Sequence, residues 1–429
     1  MKHTITTLLL FLLLTMGCAA KAQQWKELYT GVSEDLYDVC CIDTNKVFVC
    51  GRNGLILKTE DGGNSWQEKY RQEGCDWYSI KFLDSDIGFV LGDDDNSYDN
   101  NYKLLKTTNG GETWFELGSP FNAHNNLPYS CDLFIVDADT LYVACDQLMK
   151  STDGGDSFFQ LEVDRLHITR NLYFEGNVGY IVWGMPGDFQ GTHIAKTLNY
   201  GFSWEEILSF NLNEEGIKKA LFHDKDHVSI YGAFGYNENE FYYEYDEIRT
   251  DDGFTTYRRL QNENLPIGLE PQISGVCFSD LLHGVIAYDV KEFAYTGVVS
   301  YQTEDGGNTW HELEALSGPI SRSAAISGCM DVYYLAFGNG HVYKMGKTYS
   351  GILENEHVFV FPNPASDVLF VYGKENCDMI IYDASGREML RQKMKCKNLI
   401  VDIGVFPSGL YNVVIKDKNS VSCQKVIKK

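Results

Sequence analysis

Lys58-Thr59-Glu60-Asp61-Gly62-Gly63-Asn64-Ser65-Trp66 is a phrase that this chain repeats. It returns as Lys106-Thr107-Thr108-Asn109-Gly110-Gly111-Glu112-Thr113-Trp114 and as Lys150-Ser151-Thr152-Asp153-Gly154-Gly155-Asp156-Ser157-Phe158. A fourth copy is Lys196-Thr197-Leu198-Asn199-Tyr200-Gly201-Phe202-Ser203-Trp204; Thr250 to Tyr257 and Thr303 to Trp310 supply two more, with Asp252 and Asp305 in the acidic slot. The first hydroxyls are spaced by 48, 44, 46, 53 and 53 residues, a period that suits one four-stranded unit and not a helical repeat.

Working outward from each phrase, two further strand signals lie upstream. Val47-Phe48-Val49-Cys50-Gly51, Gly88-Phe89-Val90-Leu91-Gly92 and Val228-Ser229-Ile230-Tyr231-Gly232 mark the second strand, and Tyr78 to Phe82 or Gly275 to Phe278 the one before it. Downstream the closing aromatic opens a fourth strand, as in Trp114-Phe115-Glu116-Leu117. Strands A to D thus form one unit, with the phrase in the C–D hairpin. Tyr333 to Gly338 and His341 to Lys344 supply strands B and C a seventh time with no phrase after them, while Trp25-Lys26-Glu27-Leu28 reads as a fourth strand with nothing before it. The expectation is an all-β, seven-bladed β-propeller over residues 23–348 in which 23–29 close the last blade and remove the open edges.

These phrases resemble the Asp-box (BNR) repeat, and together with the Gly-rich strand B they look most like the photosystem II assembly-factor-like and sialidase-type propellers. Asp61, Asn109, Asp153, Asn199, Asp252 and Asp305 are then structural: a short polar side chain folds back on the turn's amides and glycine permits a positive φ. Phe254 and Tyr257 depart from the pattern, which makes the fifth hairpin the least regular.

Past residue 348 the pattern changes. A linker over 349–356 precedes short strands at 357–429, with Phe361-Pro362-Asn363-Pro364, Ile380 to Glu388, Phe406-Pro407-Ser408-Gly409-Leu410-Tyr411 and a final Lys425-Val426-Ile427-Lys428-Lys429. In this order they resemble the type A sorting domain of type IX (Por) secretion cargo, a small immunoglobulin-like β-sandwich. The resemblance implies passage through the periplasm, recognition by outer-membrane secretion machinery, and release or surface attachment. The other end agrees: Lys2, an apolar Leu8 to Met16 and Ala20-Lys21-Ala22 read as a signal peptide over 1–22, with lipidation at Cys18 as the rival reading. No later stretch is apolar and long enough for a transmembrane segment.

The formal charge of −24 is unevenly placed. Residues 23–355 hold 23 Lys/Arg against 52 Asp/Glu, net −29, whereas 356–429 hold 11 against 8, net +3. A field of that sign argues against nucleic acid and anionic lipid as partners. Twelve cysteines, one of them Cys18, include no CxxC pair, so a metal–thiolate site is not expected and disulfide connectivity stays open.

With the phrases at the C–D turns, the B–C and D–A loops share the opposite face, where the longer connections carry aromatic and polar residues. Tyr98, Phe189, Tyr236, Tyr242 and Tyr295 offer flat apolar platforms for a glycan or protein ligand. Asp93, Asp95 and Asp99 alternate along one loop in a way that suits calcium, although the glutamate and glycine of an EF-hand loop are missing; no other cofactor is expected. A sialidase, which needs several arginines converging on the substrate carboxylate, is disfavoured, because the early Arg-Ile-Pro phrase is absent and strand A of the first blade, Leu36 to Cys41, has no arginine. The rival class is a glycoside hydrolase acting on a neutral glycan, which needs two carboxylates suitably spaced across a cleft. The preferred expectation is a binding propeller that does not cleave its ligand.

Overall fold

The computed structural model describes residues 24–428 apart from 95–101, 122–130, 146, 165, 167, 185–191, 211–215, 238–241, 262–271, 280–281, 293–294, 314, 319–323, 330–331, 347–358, 362–367, 373–376, 384–385, 395–397 and 417–420. It divides into two compact units. Among the described residues both are built from β-strands, with one 3-10 turn at Arg52–Gly54.

In the first unit the strands form antiparallel sheets of consecutive A-B-C-D order. The first is Leu36–Cys41, Val47–Gly51, Ile56–Thr59 and Gln67–Tyr70, and five more follow along the chain, beginning at Cys75, Asp132, Ile168, Gly216 and Gln272. The sheet beginning at Gln272 carries an extra short strand, Leu316–Ser317, against Tyr295–Thr303. A further sheet, Ala325–Cys329, Val332–Phe337 and His341–Gly346, takes its outermost strand from Lys26–Leu28, with Lys26 opposite Lys344 and Leu28 opposite Val342. The B strands are buried throughout where they pack: Val47–Gly51 and Val332–Phe337 are closed to solvent at every position. That continuous apolar run is what a strand covered on both faces requires, and it is why strand B was the clearest signal in the sequence.

Contacts between sheets are largely aromatic. Phe48 stacks on Phe82 at 4.4 Å, Tyr142 on Phe174 at 3.7 Å and Tyr180 on Phe222 at 5.4 Å, so a strand-B ring of one sheet repeatedly meets the last strand-A ring of the next. Among the described residues there are two disulfides: Cys41–Cys329 joins the first inner strand to that of the sheet completed by Lys26–Leu28, and Cys131–Cys145 closes the third sheet on itself.

Two stretches read as surface insertions are instead hairpin arms. Val228–Asn237 runs on to pair with Tyr242–Thr250, Tyr236 standing opposite Tyr243, and Gly284–Glu292 likewise extends towards Tyr295–Thr303. Their aromatic content favours extended pairing over an irregular loop.

The second unit contains a three-stranded sheet, Phe359–Phe361, Val368–Tyr372 and Asn398–Asp402, and a four-stranded one in the order Glu388–Lys393, Asp378–Asp383, Gly409–Lys416, Val421–Lys428. Leu369, Val371 and Val401 from one and Met379, Ile381 and Val413 from the other share a single core.

Candidate functional site

The inner strands carry the chemistry, and the sequence places it there through one recurring irregularity. Among the described registers, four bulge at the same slot: a residue is skipped between Leu36 and Asp38, Trp77 and Ser79, Thr169 and Asn171, and Ile217 and Lys219. A bulge re-aims the side chain it displaces, and here the displaced residues include Tyr37, Tyr78 and Lys218.

Tyr37 and Tyr78, on neighbouring sheets, have ring centroids 5.9 Å apart. Tyr37 donates its hydroxyl to Asp76 Oδ2 at 3.3 Å, and Asp76 Oδ1 accepts the Asn53 amide at 3.2 Å. Tyr78 donates to Asp93 Oδ1 at 2.5 Å. Asp76 and Asp93 are both buried and stand directly opposite each other across the A and B strands of the second sheet. Cross-strand partners lie roughly 4.5–5.5 Å apart at Cβ, so two carboxylates share one small space at the B–C end of that sheet. A single buried carboxylate is held comparably in the sixth sheet, where Ser274 donates to Asp289 Oδ1 at 2.5 Å and the Ala324 amide, just before the next sheet, donates to the same oxygen at 3.1 Å.

Deeper along the inner strands, side chains satisfy the edge amides of neighbouring sheets. Asp38 Oδ2 accepts the Ile80 amide at 2.9 Å and the Lys81 ammonium at 3.2 Å; Asp132 Oδ2 accepts the Leu172 amide at 2.8 Å; Asn171 Oδ1 accepts the Ala220 amide at 3.0 Å; Ser327 Oγ accepts the Cys41 amide at 3.1 Å. An inner edge strand has unpaired N–H groups, and these residues answer them. Lys81 is pushed up even though burial works against its charge, because the Asp38 and Asp132 carboxylates outweigh that penalty. Burial raises Asp132 despite Lys81 nearby. The neighbouring thiols are raised by burial as well, Cys40 to about 11 and Cys277 to about 12. Both stay protonated at neutral pH, which excludes them as thiolate nucleophiles.

At the opposite end stand the repeated turns. Asp61 Oδ1 accepts the Thr59 hydroxyl at 2.8 Å and the Ser65 amide at 2.9 Å, and its Oδ2 accepts the Ser65 hydroxyl at 2.6 Å. Asn109, Asp153, Asn199 and Asp252 repeat the pattern with Thr113, Ser157, Ser203 and Thr256. Asp305 occupies the sixth turn beside Gly306 and Gly307, both at positive φ. In the fifth turn Phe254 sits where glycine stands elsewhere, at φ 68°, yet its amide still reaches the Thr250 hydroxyl at 2.9 Å. The lysine that opens the first four phrases was not singled out in the sequence, though its fixed place before the hydroxyl was a signal. Lys106 Nζ donates to the Gly154 carbonyl at 2.8 Å and Lys196 to Gly253 at 2.6 Å, each tying its own turn to the next; Lys344, at the same place in the sheet that has no phrase, donates to Gly62 at 3.2 Å, and Lys58 instead pairs with Glu112 of the following turn.

Of the residues expected to bind ligand or metal, Tyr98, Phe189, Asp95 and Asp99 lie outside the described residues, as do the side chains of Tyr236, Tyr242 and Tyr295. Asp93 is described, and it faces Tyr78 from inside the sheet rather than standing in a loop. Among the described residues no group of three or more His, Cys, Asp or Glu side chains is arranged to hold a metal ion. No helix among them is long and apolar enough to cross a membrane.

Antiparallel four-stranded sheets, inward-facing strand A and capped C–D turns define a β-propeller of BNR-type repeats. Residues 17–118 match the family described as photosynthesis system II assembly factor YCF48, and residues 359–429 match the secretion system C-terminal sorting domain. The sorting domain marks the chain for type IX secretion, to the cell surface or beyond it. The photosystem II assembly lipoprotein Ycf48 of Trichormus variabilis is 32% identical over 78 residues, 17% of this chain and 23% of that protein, and the Nostoc protein is 32% identical over 79. The matched segment therefore spans about a quarter of those relatives. Among solved structures, YCF48 bound to D1 peptide has a TM-score of 0.55 at 14% identity, covering 77% of this chain and 97% of that one. The Niastella koreensis GH74 enzyme has a TM-score of 0.56 at 13% identity, covering 94% and 67%. Likeness at such identity is one of fold.

Proposed function

We propose that this chain is an exported interaction protein: a closed, seven-bladed propeller over 23–348 that binds a neutral glycan or a peptide at its B–C and D–A loop face without cleaving it. A signal peptide over 1–22, a linker over 349–356 and an immunoglobulin-like sorting sandwich over 357–429 complete the chain. For the sandwich, the supporting feature is that Tyr411 donates its hydroxyl to the Pro407 carbonyl at 2.6 Å, the local corner such sandwiches use. For binding, the single observation that carries the reading is the Tyr37–Tyr78 pair. Both rings are half-buried at the loop-bearing end and both hydroxyls are fixed on buried carboxylates, which makes a rigid aromatic surface with acceptors behind it. The net −29 of this region favours neutral or basic ligands over sialylated or sulfated ones.

The rival reading, a glycoside hydrolase, draws on the cross-strand Asp76–Asp93 pair and on the fold shared with a GH74 enzyme. Hydrolysis needs one carboxyl group as acid and one as base or nucleophile, both open to substrate, whereas these two are buried and engaged by tyrosine hydroxyls. A glycan array and a hydrolase panel on the mature protein test both. Binding without turnover, weakened in Tyr37→Ala/Tyr78→Ala, is expected. Turnover abolished by Asp76→Asn or Asp93→Asn would establish the rival.

A further inference from the structure

The fourth turn keeps the hydroxyl, the capping Asn, the second glycine and the closing Ser-Trp, and replaces the first glycine and the residues either side of the Asn-x-Gly core with apolar or aromatic ones. Asn199 bonds the Ser203 amide at 2.9 Å and the Thr197 hydroxyl at 2.8 Å, as its counterparts do. But where the first turn has Glu60, Gly62 and Asn64, the fourth has Leu198, Tyr200 and Phe202. The three are 63%, 51% and 63% exposed. Tyr200 holds φ 61°, the left-handed conformation that glycine supplies in the first three turns. A side chain in that region costs stability, and a bulky one is uncommon there. Three apolar substitutions at the outward positions of one turn, one of them strained, are not what folding alone would select.

The platform is held from behind. Lys150 of the preceding turn is buried, with its ammonium 5.5 Å from the ring centres of both Tyr200 and Phe202 and 5.0 Å from that of Tyr142. Its equivalents Lys106 and Lys196 bond the next turn's carbonyl. Here the Tyr142 hydroxyl takes that carbonyl, Tyr200 O, at 3.0 Å, and the ammonium lies against the rings instead. The Trp204 indole N–H bonds the Gly201 carbonyl at 2.9 Å and fixes the turn's far side. Two aromatic rings are thereby pre-set, with their outer surfaces in water.

We propose that Leu198, Tyr200 and Phe202 form a second binding site, on the turn-bearing face opposite the loop-face site, and that it takes a neutral glycan strand. Size decides against a second copy of the chain: at the 150–250 Å² typical of such side chains the exposed patch is roughly 350 Å², against about 800 Å² per partner in a stable interface. Chemistry decides among the smaller ligands. Fixed ring faces with no charged side chain among the three suit the C–H faces of a sugar ring, and the acidic field around them repels uronate and sulfate groups.

Affinity electrophoresis of the mature full chain through gels containing mixed-linkage β-glucan, galactomannan, β-1,4-galactan or carboxymethylcellulose tests this. The wild type is expected to be retarded by at least one neutral polysaccharide and not by carboxymethylcellulose. In Leu198→Glu/Tyr200→Gly/Phe202→Asn, which restores the residues of the first turn and releases the left-handed tyrosine, the dissociation constant should rise at least tenfold at a melting temperature no lower than that of the wild type. Phe202→Asn alone, which leaves the backbone of the turn untouched, serves if the triple variant misfolds. Tyr37→Ala/Tyr78→Ala, on the other face, separates the two sites: retention lost there but kept in the turn variants would place binding in the loop face and overturn this proposal. No retardation by any neutral polysaccharide would overturn it too, as would retention only by carboxymethylcellulose or self-association in sedimentation that disappears with the patch.

Discussion

At the scale of single residues, the repeated turn shows how far one side chain's chemistry can be read. A short oxygen-bearing residue four positions before a Ser or Thr amide, with a hydroxyl two positions upstream, predicts the bonds found at Asp61 and Asp153. The hydroxyl and amide of Ser65 and Ser157, with the upstream hydroxyls, hold both carboxyls down to about 2. A depressed folded value means stability that is present above the ordinary carboxyl range, about 4, and is lost as pH falls from there through about 2. Asn109 and Asn199 do the same work without a charge. We therefore expect Asp61→Asn/Asp153→Asn to fold at pH 7 and to have a flatter melting temperature between pH 4 and pH 2 than the wild type; parallel curves would mean these carboxylates are not held by the turn. What the sequence did not convey was the bulge that aims Tyr37 and Tyr78, because a register shift leaves no mark on composition or alternation.

At the scale of elements, strand B was legible because burial on both faces writes a continuous apolar run, whereas strand A hid its role. Asp38, Asp132 and Asn171 read as scattered polar residues until pairing showed that each accepts an amide from the next sheet. The opening lysines were hidden in the same way, since a contact to the following turn is not local in sequence. The two roles of Asp38, acceptor for Ile80 N–H and partner of Lys81, can be separated. Asp38→Asn keeps an acceptor and loses the charge; Asp38→Ala loses both and leaves an edge amide unpaired, which costs about 1–3 kcal/mol. Lys81 keeps 41% of its side-chain surface open, so the ion pair itself is screened and adds little. Chemical denaturation should therefore show the alanine variant clearly less stable than the asparagine variant. Equal losses would shift the weight to the ion pair.

At the scale of the whole propeller, the question is what holds the two ends of a ring together when its sheets are consecutive in sequence. Lys26–Leu28 adds to the strand His341–Gly346, and three further contacts anchor the addition. The Trp25 indole N–H donates to Ser300 Oγ at 2.9 Å, the Thr30 hydroxyl donates to the Gly340 carbonyl at 2.8 Å, and Leu28 packs so closely on Gly63 of the first turn that a methyl group there would overlap it. One short segment therefore touches the sheet it completes and the sheets on either side. An orphan fourth-strand phrase at the start of the chain and an incomplete repeat at its end made this pairing legible, because the two deficits are complementary; the tryptophan's partner 275 residues away was not legible. Burying Leu28 and Trp25 contributes about 1.5–3 kcal/mol each on area grounds, and their loss would also uncover the edge of His341–Gly346. Deleting 23–29 should thus lower the melting temperature sharply and produce oligomers by size exclusion. A synthetic Gln23–Tyr29 peptide added in excess should restore part of the lost stability by re-pairing with that edge, while the same peptide with Trp25→Ala and Leu28→Ala should not. A deletion variant that melts with the wild type and stays monomeric would show that the ring is held by its other contacts, the Cys41–Cys329 bond foremost, and that the N-terminal strand only decorates it.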